Sequence, residues 1–124
     1  ARPLALAELL TYTVNTAGLD SAVKAYKALR ERYYGRAAYD FGERTLSEVA
    51  DPLIRATKWD EALGLLTLNE EQFPKSAFAQ NQLGEYYRQR GDTASAIARY
   101  KMALERDPND QQAQTRLKQL GPKP

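Results

Sequence analysis

Apolar residues recur along this chain at intervals of three and four, the spacing that lines one face of an α-helix. The clearest stretch is Leu83, Tyr86 and Tyr87, followed after a break at Gly91-Asp92 by Ala96, Ile97, Tyr100, Ala103 and Leu104. Gly suits the left-handed position that ends a helix, and Asp suits the N-cap of the next. Asp107-Pro108 then stops the second helix, because the residue before Pro avoids the helical region. The same design opens a second helix at Trp59-Asp60-Glu61-Ala62-Leu63, and again at Gly18-Leu19-Asp20-Ser21-Ala22. The pattern predicts an all-α chain built from helix pairs.

The pairs repeat. Sliding residues 43–76 onto 77–110 superimposes Val49 on Leu83, Ala50 on Gly84, Leu53 on Tyr87, Ala62 on Ala96, Leu66 on Tyr100 and Pro74 on Pro108, all at an offset of 34. A third copy lies upstream at an offset of 40, pairing Leu6 with Leu46, Leu9 with Val49, Asp20 with Asp60, Ala22 with Ala62 and Tyr26 with Leu66. The extra residues fall in the stretch Tyr34 to Gly42, where the first connection is longer. A fixed period of this size is the mark of a stacked helical repeat. An ordinary bundle accounts for the helices but not for the constant offset. Small residues at 22, 62 and 96 let two antiparallel helices approach closely, with a larger side chain filling the opposite gap; Gly84 with Tyr87 and Ala96 with Tyr100 alternate in this way. After Pro108, residues 110–120 are mostly polar apart from Ala113, Leu117 and Leu120, which suits a solubilising cap helix. Pro52 interrupts the first helix of the second pair. Either the helix kinks near Glu48 or it restarts at Asp51; the common phase of Leu46, Val49, Leu53 and Ile54 favours a kink.

Composition narrows the functions. The 124 residues include 43% hydrophobic and 27% charged side chains, the range of a globular domain rather than a disordered one. With no Cys and no His, Cys- or His-ligated metals and His-dependent nucleophiles are excluded. A carboxylate-only or Lys-based enzyme stays open, but its raw material is ordinary surface charge; no enzyme activity and no cofactor are expected. A net charge of +2 is too balanced for a nucleic-acid footprint. The densest basic group, Arg30, Arg32 and Arg36, is interrupted by Glu31 and suits a helix C-terminus. No apolar run approaches the roughly 20 residues that span a bilayer. The numbering opens at Ala, which points to a mature product or an excised domain.

The pattern Leu83-Gly84, Tyr87, Gly91-Asp92, Ala96, Tyr100, Ala103, Pro108 resembles the tetratricopeptide repeat (TPR). Residues 43–76 match less fully, with Ala50, Leu66 and Asn69 at signature positions, and residues 3–36 carry mainly the second-helix half. The resemblance implies one domain, a right-handed superhelix of about three units (3–36, 43–76 and 77–110) with a cap over 110–120. It also implies a protein-interaction module that binds a peptide or partner domain in the concave groove lined by the first helix of each pair. The groove positions in the second unit are Arg44, Ser47, Glu48, Asp51, Ile54 and Arg55. In the third they are Phe78, Asn81, Gln82, Glu85, Arg88 and Gln89, and in the first Leu4, Ala7, Glu8, Thr11, Val14 and Asn15. The charged positions also suit a plain solvated face, and Phe78 suits either a groove anchor or a cover for the preceding helix end.

A narrower likeness comes from Tyr39-Asp40-Phe41-Gly42-Glu43, Trp59 to Leu63, Leu68 to Ser76 and Leu83-Gly84-Glu85. These runs look like the C-terminal TPR tails of bacterial serine beta-lactamase-like or esterase-type hydrolases. That likeness implies an accessory domain docking on or dimerising a catalytic domain, periplasmic if the hydrolase is secreted and otherwise cytoplasmic. A weak homodimer fits either reading, with the cluster Tyr33, Tyr34, Tyr39 and Phe41 as core or as contact. RNA binding by a related helical repeat is a third, weaker reading, and a free-standing enzyme is the least expected.

TPR domains that hold acidic chaperone tails resemble a clamp of Lys and Asn. Here Ser47, Asp51, Phe78 and Gln82 occupy those positions, and Glu48, Asp51 and Glu85 repel a terminal carboxylate. An acidic chaperone-tail peptide is therefore expected to give no calorimetric binding; a micromolar isotherm contradicts this.

Overall fold

The computed structural model describes residues 5–33 and 41–121, which form seven α-helices and no strand among those residues. They are α1 (Leu6–Ala17), α2 (Leu19–Tyr33), α3 (Glu43–Arg55), α4 (Trp59–Gln72), α5 (Ala77–Gln89), α6 (Thr93–Arg106) and α7 (Gln111–Leu120). The chain divides into two compact units, with the division after Leu68, inside α4.

In the first unit α1 packs on α2 and on α3. Leu6, Leu10 and Val14 form the inward stripe of α1, and Leu46, Ala50 and Ile54 that of α3. Ala22 and Tyr26 supply the buried face of α2, where Phe41 packs edge-on against Tyr26 with ring centroids 5.8 Å apart. Phe41 is thus core. Tyr33 is half-buried, with the Arg32 guanidinium over its ring; Tyr34, Arg36 and Tyr39 lie outside the described residues. Gly64 of α4 leaves the space that the Leu19 side chain of α2 occupies.

α3 runs through Pro52 without a break, so the restart at Asp51 does not occur. Proline removes only its own N–H, here the partner of the Glu48 carbonyl, while its own carbonyl accepts the Ala56 N–H at 3.0 Å. The proline sits in the last turn, where little helix remains to be disturbed.

In the second unit α5 packs on α6, and α6 on α7. Ala96, Tyr100, Ala103 and Ala113 form a buried cluster, flanked by Ala77, Tyr87, Leu104, Leu117 and Leu120. Each helix opens on a side-chain cap: Ser76 accepts from the Ala79 N–H, Asp92 from Ser95 and Asp110 from Ala113. Ser76 and Asp110 are 34 residues apart, so α7 starts in the same way as α5.

The same offset appears at the helix ends. Gly91, at φ 82°, closes α5 with its N–H bonded to the Arg88 carbonyl and the Asp92 N–H bonded to that of Tyr87. Thirty-four residues earlier, Thr57 closes α3 with the same pair of bonds, Thr57 to Ile54 and Lys58 to Leu53. This is the Schellman arrangement, which calls for a left-handed residue. Thr57 supplies it at φ 58°, a costly conformation for a β-branched side chain. Replacing Thr57 by Gly relieves that strain but frees the unfolded chain. The substitution is expected to stabilise the protein by about 0.5–1 kcal/mol. Chemical denaturation checks it; a loss of stability contradicts the assigned backbone strain.

Candidate functional site

The face that the sequence assigns to a partner comes out differently on α3 and α5. On α3, Arg44, Glu48, Asp51 and Arg55 lie at spacings of four, three and four residues, which sets them in one row along the helix. Arg44, Glu48, Asp51 and Arg55 are all exposed. Opposite charges stand four apart, Arg44 with Glu48 and Asp51 with Arg55, so two carboxylates lie at the middle of the row and an arginine at each end. Loss of hydration raises the Asp51 carboxyl above its ordinary 3.8, with Arg55 pulling the other way. Ser47 and Ile54, assigned to the same face, are buried.

On α5 the assigned residues are largely engaged within their own unit. Glu85 is the hub. Its carboxylate accepts from the Arg88 Nε and Nη2 at 3.2 and 3.1 Å, and from both Nε and Nη2 of Arg116 on α7 at 3.0 Å. It also accepts the Tyr100 hydroxyl of α6. One side chain therefore ties three helices together. Burial pushes the Glu85 carboxyl up, but the hydrogen bonds from Arg88, Tyr100 and Arg116 outweigh it and hold the group below its ordinary 4.5. The Tyr100 hydroxyl is pushed up by burial and by the Glu85 charge.

Asn81 is also drawn inward. It is 2% exposed and donates to Asp110 Oδ1 at 2.9 Å, the same oxygen that caps α7. Phe78 and Gln82 are half-buried and Gln89 is exposed, all less deeply placed than Asn81. A second network, which sequence reasoning missed, links α4, α5 and α6: Gln80 Nε2 donates to Glu70 at 2.7 Å, and Arg99 donates to Glu70 and to Gln80 Oε1. Gln80 is nearly inaccessible, at 1%. The only signal for it in the sequence is a polar residue at a position where Leu46 stands one repeat earlier.

Among the described residues no cluster of three or more acidic, His or Cys side chains could hold a metal, and no helix is long and apolar enough to cross a membrane.

With this geometry in view, the comparisons with known proteins bear on the fold. Residues 77–120 match the family model described as tetratricopeptide repeat. The chain is similar in structure to the first TPR domain of the human RPAP3 protein, with 18% sequence identity, a TM-score of 0.59, and coverage of 93% of this chain and 86% of that one. It is also similar to MamA of AMB-1, with 19% identity and a TM-score of 0.50; here 94% of this chain matches 62% of that one, less than two thirds of its length. No curated protein matches the chain. Residues 77–120 thus carry a tetratricopeptide repeat, and the chain has the all-helical fold of TPR domains. None of these matches bears on the resemblance to hydrolase tails.

The Glu85 hub predicts a pH dependence. Its folded carboxyl titrates below the unfolded one, so its stabilisation is complete above the unfolded value and is lost as pH falls through the folded value. Glu85→Gln should cost about 1–3 kcal/mol at neutral pH. That difference should shrink towards zero in acid, below the ordinary 4.5. Urea denaturation of both proteins across that range checks it; a difference independent of pH contradicts it.

Proposed function

We propose that this chain is a protein-interaction module that engages a peptide or partner domain through the charged row on α3. The observation that supports this reading is the contrast between α3 and α5. Glu48, Asp51 and Arg55 stand exposed in one row that Arg44 begins, while Asn81, Glu85 and Arg88 on α5 bond within their own unit. Side chains that already hold helices together are costly to redirect to a partner.

The row suits a partner segment that carries both signs of charge. An acidic centre between two arginines gives register and rejects single-sign partners through like-charge contact. The fold favours an interaction role because TPR domains bind protein partners, and the chain supplies no His or Cys for metal or nucleophile chemistry.

The test is affinity capture with the whole chain as bait, comparing wild type with an Asp51→Lys, Arg55→Glu double variant. Both positions are exposed, so the thermal melt should barely move. Partners retained by the wild type should fall at least about tenfold, the equivalent of about 1.4 kcal/mol. An unchanged partner set overturns the assignment to α3.

A further inference from the structure

The offset of 40 lays α1 on α3 residue by residue, and the two helices agree on their inward stripe. Leu6, Leu10 and Val14 are buried, as are Leu46, Ala50 and Ile54. One stripe round, they differ. On α3, Val49 and Leu53 are buried; with Pro52 and Ala56 they face Thr11, Val14 and Asn15 of α1 across a cavity of about 220 Å³. That side of α3 is where α1 packs. The equivalent positions on α1 are Leu9, Tyr12, Thr13 and Thr16. Leu9 and Thr13 are only half-buried, and Tyr12 is 66% exposed, the large hydrophobic side chain left in solvent among the described residues.

Two further observations mark this stripe as built for contact. The Thr13 and Thr16 hydroxyls donate to the Leu9 and Tyr12 carbonyls, each at 2.8 Å. Their polar groups are thereby satisfied on their own helix, which leaves their methyl groups to the surface. Glu8 is the single charged residue of α1, whereas α2 carries Asp20, Lys24, Lys27, Arg30, Glu31 and Arg32. A helix side that meets only water ordinarily carries charge.

We propose that a helix of a partner protein packs along Leu9, Tyr12, Thr13 and Thr16, in the way that α1 itself packs on α3. The molecule contains the template for the occupant. The side of α1 that meets α3 offers Thr11, Val14 and Asn15, small or branched and uncharged. The partner helix therefore presents an uncharged, small or β-branched stripe at helical spacing, a helix-on-helix mode of recognition. A second copy of this chain does not fit, because its own α1 has that side turned to its own α3. The proposal is independent of the charged row on α3.

The probe is a peptide with the sequence Ala5–Gly18, stapled as a helix through positions 9 and 13 so that its α3-facing side stays free. Titrated into the isotope-labelled whole chain, it should shift the amide resonances of Leu9, Tyr12, Thr13 and Thr16. Tyr12→Lys should weaken it at least about tenfold without changing the melt, since the side chain is exposed. The Asp51→Lys, Arg55→Glu variant should bind it as the wild type does, which separates this surface from the α3 reading. The proposal is overturned by no binding, by shifts confined to Val49 and Leu53, or by equal binding to Tyr12→Lys. Peptide binding lost with the α3 variant, or self-association abolished by Tyr12→Lys, also contradicts it.

Discussion

Everything in this fold depends on how closely paired helices can approach. Ala22, Ala62 and Ala96 are each fully buried near the start of the second helix of a pair, where a longer side chain would hold the helices apart. Gly84 makes the constraint plain. A methyl group there would lie 2.6 Å from the Tyr100 ring, closer than real carbon atoms come. Glycine ordinarily weakens a helix interior by about 0.5–1 kcal/mol relative to Ala, so its presence records a gain that outweighs the loss. The gain is Tyr100, fully buried against α5 with its hydroxyl on Glu85. From that contact the hub extends to Arg88 and Arg116, and so to α7.

Much of this was legible in the sequence because its signals are local or periodic. Gly91-Asp92 and Pro108 mark breaks that the chain takes, and the offset of 34 carries the capping bonds from Leu53, Ile54, Thr57 and Lys58 to Tyr87, Arg88, Gly91 and Asp92. The same offset placed Thr57 opposite Gly91, and a left-handed Thr could have been read from it. Side-chain networks left no such trace. Asn81 and Asp110, or Glu70 and Arg99, are 29 residues apart, and nothing periodic announces that two polar residues will meet across helices. The packing of Gly64 against Leu19 was equally silent, since that glycine stands outside the signature positions. Pro52 suggested a disruption, but its effect depends on how much helix follows it, and only one turn does.

The division of labour between helices follows from the same networks. On α5 Glu85 and Asn81, two of the positions that the resemblance assigned to a groove, instead reach beyond their own helix to α6 and α7. On α3 the charged ones form an exposed row with two carboxylates between two arginines. The resemblance assigns both helices the same six positions; burial and bonding separate them. A fold shared by many binders does not choose a partner; in the proposed reading the choice rests on these few side chains and on the uncharged stripe of α1.

The central claim, that close approach at Gly84 and Tyr100 organises the second unit, is tested most directly by a double-mutant cycle. Gly84→Ala, Tyr100→Leu and the double variant would be compared by equilibrium denaturation. If the alanine methyl collides with the tyrosine ring, Gly84→Ala destabilises the wild type but is tolerated once Tyr100→Leu has removed the ring, a coupling of about 1–3 kcal/mol. Additive effects, or a Gly84→Ala protein more stable than the wild type, would contradict the account.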